Sequence, residues 1–265
     1  MKYHNLAIKG LPVFLVALLL LSPELRAATF TYMNAQAGND IETYSSASFS
    51  DSTKTSDDGF GAADNTNLTS FRGAAYDGTN YYTFFGSGAG AIITYTSLAN
   101  FEDDSRLSTQ SMASGKNFLT TNTRGIATAD GSTFYALFNQ SGTDLILEYS
   151  SLENLRNNTQ AAQHSVSNWE VSNAVGLGYD GSSFYVAFDT DVAGGDEIRE
   201  YTSLANLQDG THTATVQNGT GAPDFDNAQV GWGLAVTPVP EPTTYALVTG
   251  LLLTGMILRR RTSRI

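Results

Sequence analysis

Only a few residues of this chain could take part in catalysis. The 265 residues include no cysteine, which excludes a thiolate nucleophile, a thiolate metal site and a disulfide framework. Beyond the N-terminal segment the histidines are His164 and His212, and either could be the base of a hydrolytic triad. Neither lies in a nucleophile motif, and no Gly-x-Ser-x-Gly sequence occurs. We therefore assign no catalytic residue and predict that the protein is not an enzyme.

The best candidate for a metal site is an acidic stretch. Ca²⁺ prefers several oxygen ligands on a flexible loop, and this stretch offers Asp189, Asp191, Asp196 and Glu197. Its spacing matches no EF-hand, and an exposed loop with glycines explains the carboxylates without an ion. A second acidic run, 102–104, is most simply a solvated turn. We predict no metal and no cofactor, and leave calcium at the first stretch open.

Two other features could contact a ligand. The glycine-rich segment 86–90 could cradle a phosphate, but it links two strands and opens no helix, so a surface loop is the simpler interpretation. Trp169 and Trp232 could stack on sugar rings if they are exposed. Packing between strands explains both tryptophans more simply.

The charge of the chain excludes one class of partner. With 14 basic and 26 acidic residues the formal charge is −12, which argues against a nucleic-acid binder. Segment 28–242 has 7 basic and 25 acidic residues, a charge of about −18. Such a surface keeps a protein soluble and repels anionic surfaces, so neutral glycans and divalent cations are the contacts it favours. The 14 Phe and 13 Tyr residues exclude a disordered chain.

The elements that must position these residues repeat about every fifty positions. An Asp-Gly step recurs at Asp77, Asp130 and Asp180, and an aromatic run follows each of them. Asp-Gly between apolar runs predicts a hairpin with a type I′ turn, so we interpret these aspartates as turn residues. The pattern Ile-x-x-Tyr-[Ser/Thr]-Ser occurs four times, with its tyrosines at Tyr44, Tyr95, Tyr149 and Tyr201.

The repeats predict an all-β fold. The aromatic runs are apolar at nearly every position, which indicates strands that are covered on both faces. Sheets stacked around an axis provide that cover, and a period near fifty suits one four-stranded blade, similar to kelch-type repeats. The central region, 28–237, thus resembles a four-bladed β-propeller, and an open β-sandwich-like array is the alternative. The predicted units are 71–122, 123–173, 174–230, and a split unit of 231–237 with 28–70.

The ends of the repeat region complement each other. Residues 29–44 match a unit that lacks its first strand, and residues 231–236 match a first strand alone. We therefore predict that 233–236 pairs beside 29–34, which completes the fourth blade and closes the ring. Closure would hide sheet edges that an open array leaves exposed.

The repeats also argue against glycoside hydrolysis, which needs two carboxylates facing one sugar. Polysaccharide-cleaving families with a propeller fold usually place these carboxylates on inner strands near the axis. Here the inner-strand candidates are Gly, Ala, Ile, Leu, Thr and Tyr, with Asp displaced to the turn.

The N-terminal segment has the features of a secretory signal peptide. Lys2 and Lys9 give a basic start, residues 11–21 form an apolar run, and Ala27 is a small residue suited to cleavage. The apolar run is too short for a stable membrane anchor. We predict a signal peptide over 1–27, removed by signal peptidase.

The C-terminal segment predicts a short membrane helix. Sixteen residues without a charge, 243–258, follow Pro240, Glu241 and Pro242. As a helix they would reach roughly 24 Å, slightly less than a hydrocarbon core of roughly 30 Å. The cluster that follows them should stay cytoplasmic, and it consists of Arg259, Arg260 and Arg261.

The Pro-Glu-Pro motif, the uncharged segment and the arginine cluster, in this order, resemble the PEP-CTERM sorting signal of Gram-negative bacteria. The resemblance covers 238–265 only. The resemblance implies an exosortase as processing partner, an inner-membrane anchor before processing, and then a place at the cell surface or in an extracellular matrix with exopolysaccharide and biofilm. We predict an exported, non-enzymatic surface or matrix protein whose propeller is a scaffold or binding module. A lectin-like polysaccharide-binding protein is the alternative, and a glycoside hydrolase the weaker one.

Overall fold

The computed structural model describes residues 28–34, 40–45, 54–59, 71–86, 90–114, 122–140, 143–189, 197–217 and 232–238. All of them belong to the unit Ala28–Pro240. The predicted signal peptide, the membrane helix 243–258 and the sorting residues 240–242 and 259–261 lie outside the described residues.

The described residues form sixteen strands in four antiparallel sheets. In chain order the strands are β1 (Ala28–Asn34), β2 (Asp40–Tyr44), β3 (Lys54–Gly59), β4 (Phe71–Tyr76), β5 (Tyr81–Phe85), β6 (Ala91–Tyr95), β7 (Ser108–Ser111), β8 (Thr123–Ala127), β9 (Phe134–Gln140), β10 (Thr143–Tyr149), β11 (Ala162–Ser165), β12 (Ala174–Tyr179), β13 (Phe184–Phe188), β14 (Glu197–Tyr201), β15 (Ala214–Gln217) and β16 (Trp232–Pro238). Blade 1 is β4–β7, blade 2 is β8–β11, blade 3 is β12–β15, and blade 4 is ordered β16-β1-β2-β3.

The four sheets are arranged as a four-bladed β-propeller. The first strand of each blade is innermost, and these strands contact one another in a ring: β16 packs on β4, β4 on β8, β8 on β12, and β12 on β16. The all-β prediction and the blade count are therefore confirmed, and the open array is excluded.

Blade 4 is assembled from both ends of the unit, as predicted. Strand β16 pairs antiparallel with β1, with Ala28 opposite Pro238, Thr31 opposite Ala235 and Asn34 opposite Trp232. Because three of its strands come from one end of the unit and the innermost from the other, this sheet closes the ring.

The aromatic strands lie inside the stack of blades. Every residue of β5 and of β13 is buried, which confirms that these strands are covered on both faces. Their rings fill the layers between neighbouring blades; for example, Tyr82 packs edge-on against Phe134, and Phe30 against Tyr185. The outer strands β7 and β11 alternate half-buried and exposed residues instead.

A short helix follows the third strand in each of blades 1 to 3. The helices are α1 (Leu98–Glu102), α2 (Leu152–Arg156) and α3 (Leu204–Asp209). Each is capped by the second hydroxyl of the repeat signature, because Ser97, Ser151 and Ser203 accept a hydrogen bond from the amide three residues later. The predicted short turn that folds a leucine back is therefore one capped helical turn.

In blades 1 and 2 the hydroxyl of the signature tyrosine bonds to a residue just after the helix. Each helix also has one buried apolar residue, Phe101, Leu155 or Leu207. In blade 1 the Tyr95 hydroxyl donates to Asp104 at 2.6 Å, and in blade 2 Tyr149 donates to Asn158 at 2.9 Å. The corresponding acceptor is missing in blade 3, where the chain has a glycine, and the buried Tyr201 hydroxyl has no hydrogen-bond partner among the described residues.

Asp104 therefore corrects one expectation. The acidic run 102–104 was predicted to be a solvated turn, but the Asp104 side chain is only 1% exposed and forms an ion pair with Arg106. Its carboxylate is held by that guanidinium and by Tyr95, so it is a structural group of the blade. Comparison of the repeats does not indicate this role, because the equivalent positions in blades 2 and 3 are Asn158 and Gly210.

Two matched variants test this difference between blades. Tyr95→Phe should lower the free energy of unfolding by about 1.5–3 kcal/mol, because a buried carboxylate loses a donor. Tyr201→Phe should be neutral or slightly stabilising, because the hydroxyl it removes is already unsatisfied. Chemical denaturation of both variants measures the contrast, and equal losses at the two positions would contradict it.

Candidate functional site at the ends of the inner strands

The Asp-Gly turns lie at one end of the inner strands. Asp77, Asp130 and Asp180 each accept hydrogen bonds from the amides two and three residues later, at 2.6–3.0 Å. Asp77 and Asp180 also accept from the hydroxyls of Tyr82 and Tyr185. The interpretation of these aspartates as turn residues is confirmed, because their carboxylates close the turns.

The type I′ geometry predicted for these turns is wrong. That turn needs positive φ at both central residues, whereas only the glycines have it, with φ of +90° at Gly78, +68° at Gly131 and +94° at Gly181. At least four residues separate the strands at each turn, so the aspartate side chain closes a loop that is too wide for a two-residue turn.

The phenols beside these turns are neutral donors. Burial raises the pKa of Tyr82 and of Tyr185 above the ordinary value, and the neighbouring turn carboxylates raise it further. Burial, together with Glu148, raises the pKa of Tyr135 to about 12. At neutral pH all three are therefore neutral phenols and not phenolate nucleophiles, and Tyr82 and Tyr185 donate to the turn aspartates.

Glycines let the inner strands meet at the middle of the ring. Gly73, Gly125, Gly176 and Gly233 hold equivalent places, one in each inner strand. A methyl group on Gly125 would lie 2.5 Å from the Leu177 amide nitrogen, and one on Gly233 would lie 2.6 Å from that of Ala74. Those distances are shorter than van der Waals contact, so at these positions the strands touch backbone to backbone.

The opposite end of the inner strands has a repeated β-bulge. The register with the second strand skips one residue in β4, β8 and β12, and the extra residues are Arg72, Arg124 and Val175. A bulge turns its extra side chain away from the regular alternation of the strand. Two arginines therefore occupy equivalent positions in neighbouring blades.

The sequence analysis did not single out those arginines, although its units 71–122 and 123–173 include them. The signal was present as the dipeptide Arg-Gly, at Arg72-Gly73 and again at Arg124-Gly125. The inner strands thus contain two cations beside the apolar residues that were predicted for them. Among the described residues, the four inner strands contain no carboxylate pair of the kind that glycoside hydrolysis needs.

The two histidines lie in different blades and have different surroundings. His164 is on β11, with its Nε2 3.1 Å from Glu148 Oε2. His212 is exposed in the loop before β15, with its Nδ1 3.4 Å from the Gly210 carbonyl oxygen. The described contacts of the two histidines thus belong to separate surroundings and do not bring the two candidate bases together.

The acidic stretch predicted to be the best metal candidate is described only at its two ends. Asp189 is buried, and Glu197 forms an ion pair with Arg199. Asp191 and Asp196 lie outside the described residues. Within the described ranges, no group of three His, Cys, Asp or Glu side chains is placed to hold a metal ion.

Trp169 packs within the protein. Its Nε1 donates to the Leu207 carbonyl oxygen at 2.7 Å, and its ring lies edge-on to Phe188 and stacks on Tyr201. Its contacts fit the packing interpretation better than a sugar platform. Trp232 is the first residue of β16 and pairs with Asn34, and nothing further is described of its side chain.

Two further predictions concern loops and membranes. Gly86 follows β5 and Gly90 precedes β6, so the glycine-rich segment connects two strands as predicted, with 87–89 outside the described residues. Of the helices in the described ranges, none has the length and apolar character needed to cross a membrane.

No known protein-family profile matches the chain, and a search of curated proteins returned no match. Similar solved structures include hydrazine synthase of Kuenenia stuttgartiensis, with a TM-score of 0.29 and 13% identity over 62% of this chain and 40% of that one. A protein of Bacteroides fragilis, provisionally described as a 6-phosphogluconolactonase, has a TM-score of 0.27 and 14% identity over 70% of this chain and 53% of its own. Its counterpart in Bacteroides uniformis has a TM-score of 0.27 and 13% identity over 70% of this chain and 56% of its own.

The chain thus spans roughly half the length of those structures. TM-scores at this level support no argument about the chain, and the activities in those names belong to those proteins. The class assigned to this chain, a four-bladed β-propeller, rests on its own sheet topology.

Proposed function

We propose that this chain is an exported, non-enzymatic protein of the cell surface or extracellular matrix, sorted by a PEP-CTERM/exosortase system. Its propeller would be the scaffold or binding module, and helix 243–258 would anchor it in the inner membrane until it is processed. The single observation behind the proposal is the tail itself, with Pro240, Glu241 and Pro242, an uncharged segment of sixteen residues, and then arginines.

The limits of the folded unit support this proposal. Strand β1 begins at Ala28, directly after the predicted signal-peptidase site at Ala27, and β16 ends at Pro238, just before the motif. Ala28 and Pro238 are direct partners across the sheet, so a cut after Ala27 and a cut at or beyond the Pro-Glu-Pro motif would both fall outside the paired strands. Removing both end segments would therefore leave all four blades intact.

The non-enzymatic assignment has a separate support. Several carboxylates of the described residues make structural bonds: the turn carboxylates accept backbone amides, and Asp104 is paired with Arg106. Exopolysaccharide is the proposed extracellular partner, and nucleic acid is disfavoured because segment 28–242 has a charge of about −18.

Sorting can be tested by expression in a Gram-negative host that has an exosortase and in a matched strain that lacks it. With the enzyme, the mature protein should lose residues 1–27 and the arginine tail and leave the inner-membrane fraction. Without it, the tail should remain and the protein should stay in that fraction. Intact mass spectrometry after fractionation measures both.

A matched pair of variants sharpens the result. Pro240→Ala with Pro242→Ala should keep its tail in both strains, whereas Pro238→Ala, at the end of β16, should be processed like the wild-type chain. A wild-type protein that retains its arginine tail in both strains would refute the sorting proposal.

A further inference from the structure

The turn of blade 2 departs from the hydrogen-bond pattern of the other two Asp-Gly turns. In blade 1 the Tyr82 hydroxyl donates to the turn aspartate at 2.5 Å, and in blade 3 the Tyr185 hydroxyl does so at 3.1 Å. In blade 2 the Asp130 oxygen that would serve the equivalent Tyr135 accepts from the Ser132 hydroxyl instead, at 2.6 Å. This turn has one residue more before its aspartate, and Asp130 is exposed, unlike the aspartates of the other two turns.

A second phenol, from blade 3, lies beside Tyr135. The ring of Tyr179, the last residue of β12, is 5.6 Å from the ring of Tyr135 between centroids, at an interplanar angle of 74°. The buried Phe184 ring contacts both, at 5.0 Å from Tyr135 and 4.3 Å from Tyr179, and fixes their positions. Both tyrosines are half-buried, and neither hydroxyl oxygen is enclosed. Within the described part of the chain, neither hydroxyl makes a hydrogen bond, so both are left for solvent or a ligand.

Carboxylates lie next to this pair of phenols. Glu148 is opposite Tyr135 on the neighbouring strand, and its Oε2 is 3.1 Å from His164 Nε2. Burial raises the pKa of Tyr135 and of Tyr179, and the negative charge of Asp130 contributes to the rise at both. Asp130 is therefore close to both phenols, so hydrogen-bond donors and acceptors from two blades adjoin at this place.

We propose that Tyr135, Tyr179 and Asp130 form a binding site for one neutral sugar unit of a polysaccharide. A sugar hydroxyl can accept a hydrogen bond from a phenol and donate one to a carboxylate. A tyrosine also offers an apolar ring beside its polar tip, which suits the mixed surface of a sugar. The nearby carboxylates repel uronic acids and phosphates, so the site selects against anionic units.

This site deepens the proposed binding role, and it rests on the proposed function for exopolysaccharide as the natural ligand. Calorimetric titration of the purified full-length chain tests it, in a detergent without a sugar headgroup that would compete. The probes are neutral oligosaccharides of glucose, galactose, mannose and N-acetylglucosamine, with an oligosaccharide of galacturonic acid at equal ionic strength. At least one neutral probe should bind at millimolar concentration, and the acidic probe should not.

Tyrosine-to-phenylalanine variants decide whether the two hydroxyls are responsible. Tyr135→Phe and Tyr179→Phe keep the packed rings, and each should weaken binding by about three- to ten-fold, the range expected for one neutral hydrogen bond. The matched controls are Tyr185→Phe and Tyr76→Phe, at the equivalent positions of blades 3 and 1. Both controls should bind the sugar like the wild type.

Stability separates this role from a structural one. Tyr135→Phe should leave the urea midpoint unchanged, because its hydroxyl has no partner in the described part of the chain. Tyr185→Phe should lower the midpoint, because Asp180 loses a donor. Asp130→Asn keeps an acceptor for the turn amides and removes the charge, so it should bind about ten-fold more weakly and gives an independent test.

Three results would each overturn the proposal. The first is that none of the neutral probes binds the wild-type chain at millimolar concentration. The second is binding of the galacturonic acid probe in preference to the neutral ones. The third is an equal loss of binding in Tyr135→Phe and Tyr185→Phe. Each would leave the sorting proposal standing, because that proposal is tested by processing of the tail.

Discussion

A chain that stops at residue 231 is expected to lose the propeller fold, because it lacks β16. This strand is the innermost of blade 4 and packs on both β4 and β12. Its residues Leu234, Ala235 and Val236 are fully buried. Burial of the Leu and Val side chains alone contributes about 1.5–3 kcal/mol each, a large part of the 5–15 kcal/mol typical of a domain. Far-ultraviolet circular dichroism and limited proteolysis measure the loss.

The matched control is a chain that stops directly after Pro238. It lacks the whole tail but keeps β16 and its pairing with β1, so it should unfold at the same temperature as the full chain. If the shorter chain remained cooperatively folded, the ring would not depend on its closing strand. If the control unfolded as well, residues of the tail would be part of the folded unit.

Gly125→Ala is expected to cause a large loss of stability. The new methyl group would lie 2.5 Å from the Leu177 amide nitrogen and 2.8 Å from its Cβ. Neither atom is the flexible end of a side chain, so blades 2 and 3 must separate. Overpacking of this kind costs about 1–3 kcal/mol and sometimes more, and the upper end applies here. The midpoint of urea denaturation measures it.

The equivalent glycine of the next blade is the control. A methyl group on Gly176 would come nearest to the Leu234 Cβ, at 3.2 Å, and to no atom under 3.0 Å, so Gly176→Ala should cost less than Gly125→Ala. Neither glycine has the positive φ that would add backbone strain. The effect of Gly→Ala on the unfolded chain is the same at both positions and is stabilising. Equal losses at the two positions would therefore contradict the claim that contact between blades sets the cost.

The repeat pattern predicted most of the fold because it reports backbone requirements directly. The aromatic strand after each Asp-Gly step is buried on both faces, as in β13, since only stacked sheets can cover an apolar run of that kind. The split unit was predictable for the same reason, because 29–34 and 233–236 are the complementary parts of one repeat.

Other features depend on contacts that a sequence pattern does not contain. The turn at Asp77 was expected to be type I′, but the side chain of that aspartate closes a longer loop. Asp104 was expected in solvent, and a tyrosine of the preceding strand and Arg106 hold it inside the blade. Both differences arise because a side chain supplies bonds that the prediction assigned to backbone or water.

The amino-acid sequence by itself determined the class of fold, the number of blades and the strands that close the ring, since the apolar pattern of each strand, the repeat and its split unit can all be read along the chain. It also contains the two end segments on which the sorting proposal depends. The tertiary structure alone decided that Arg72 and Arg124 are neighbours, although 52 positions separate them. They meet because glycines let the inner strands touch and a bulge recurs at the same level of each strand.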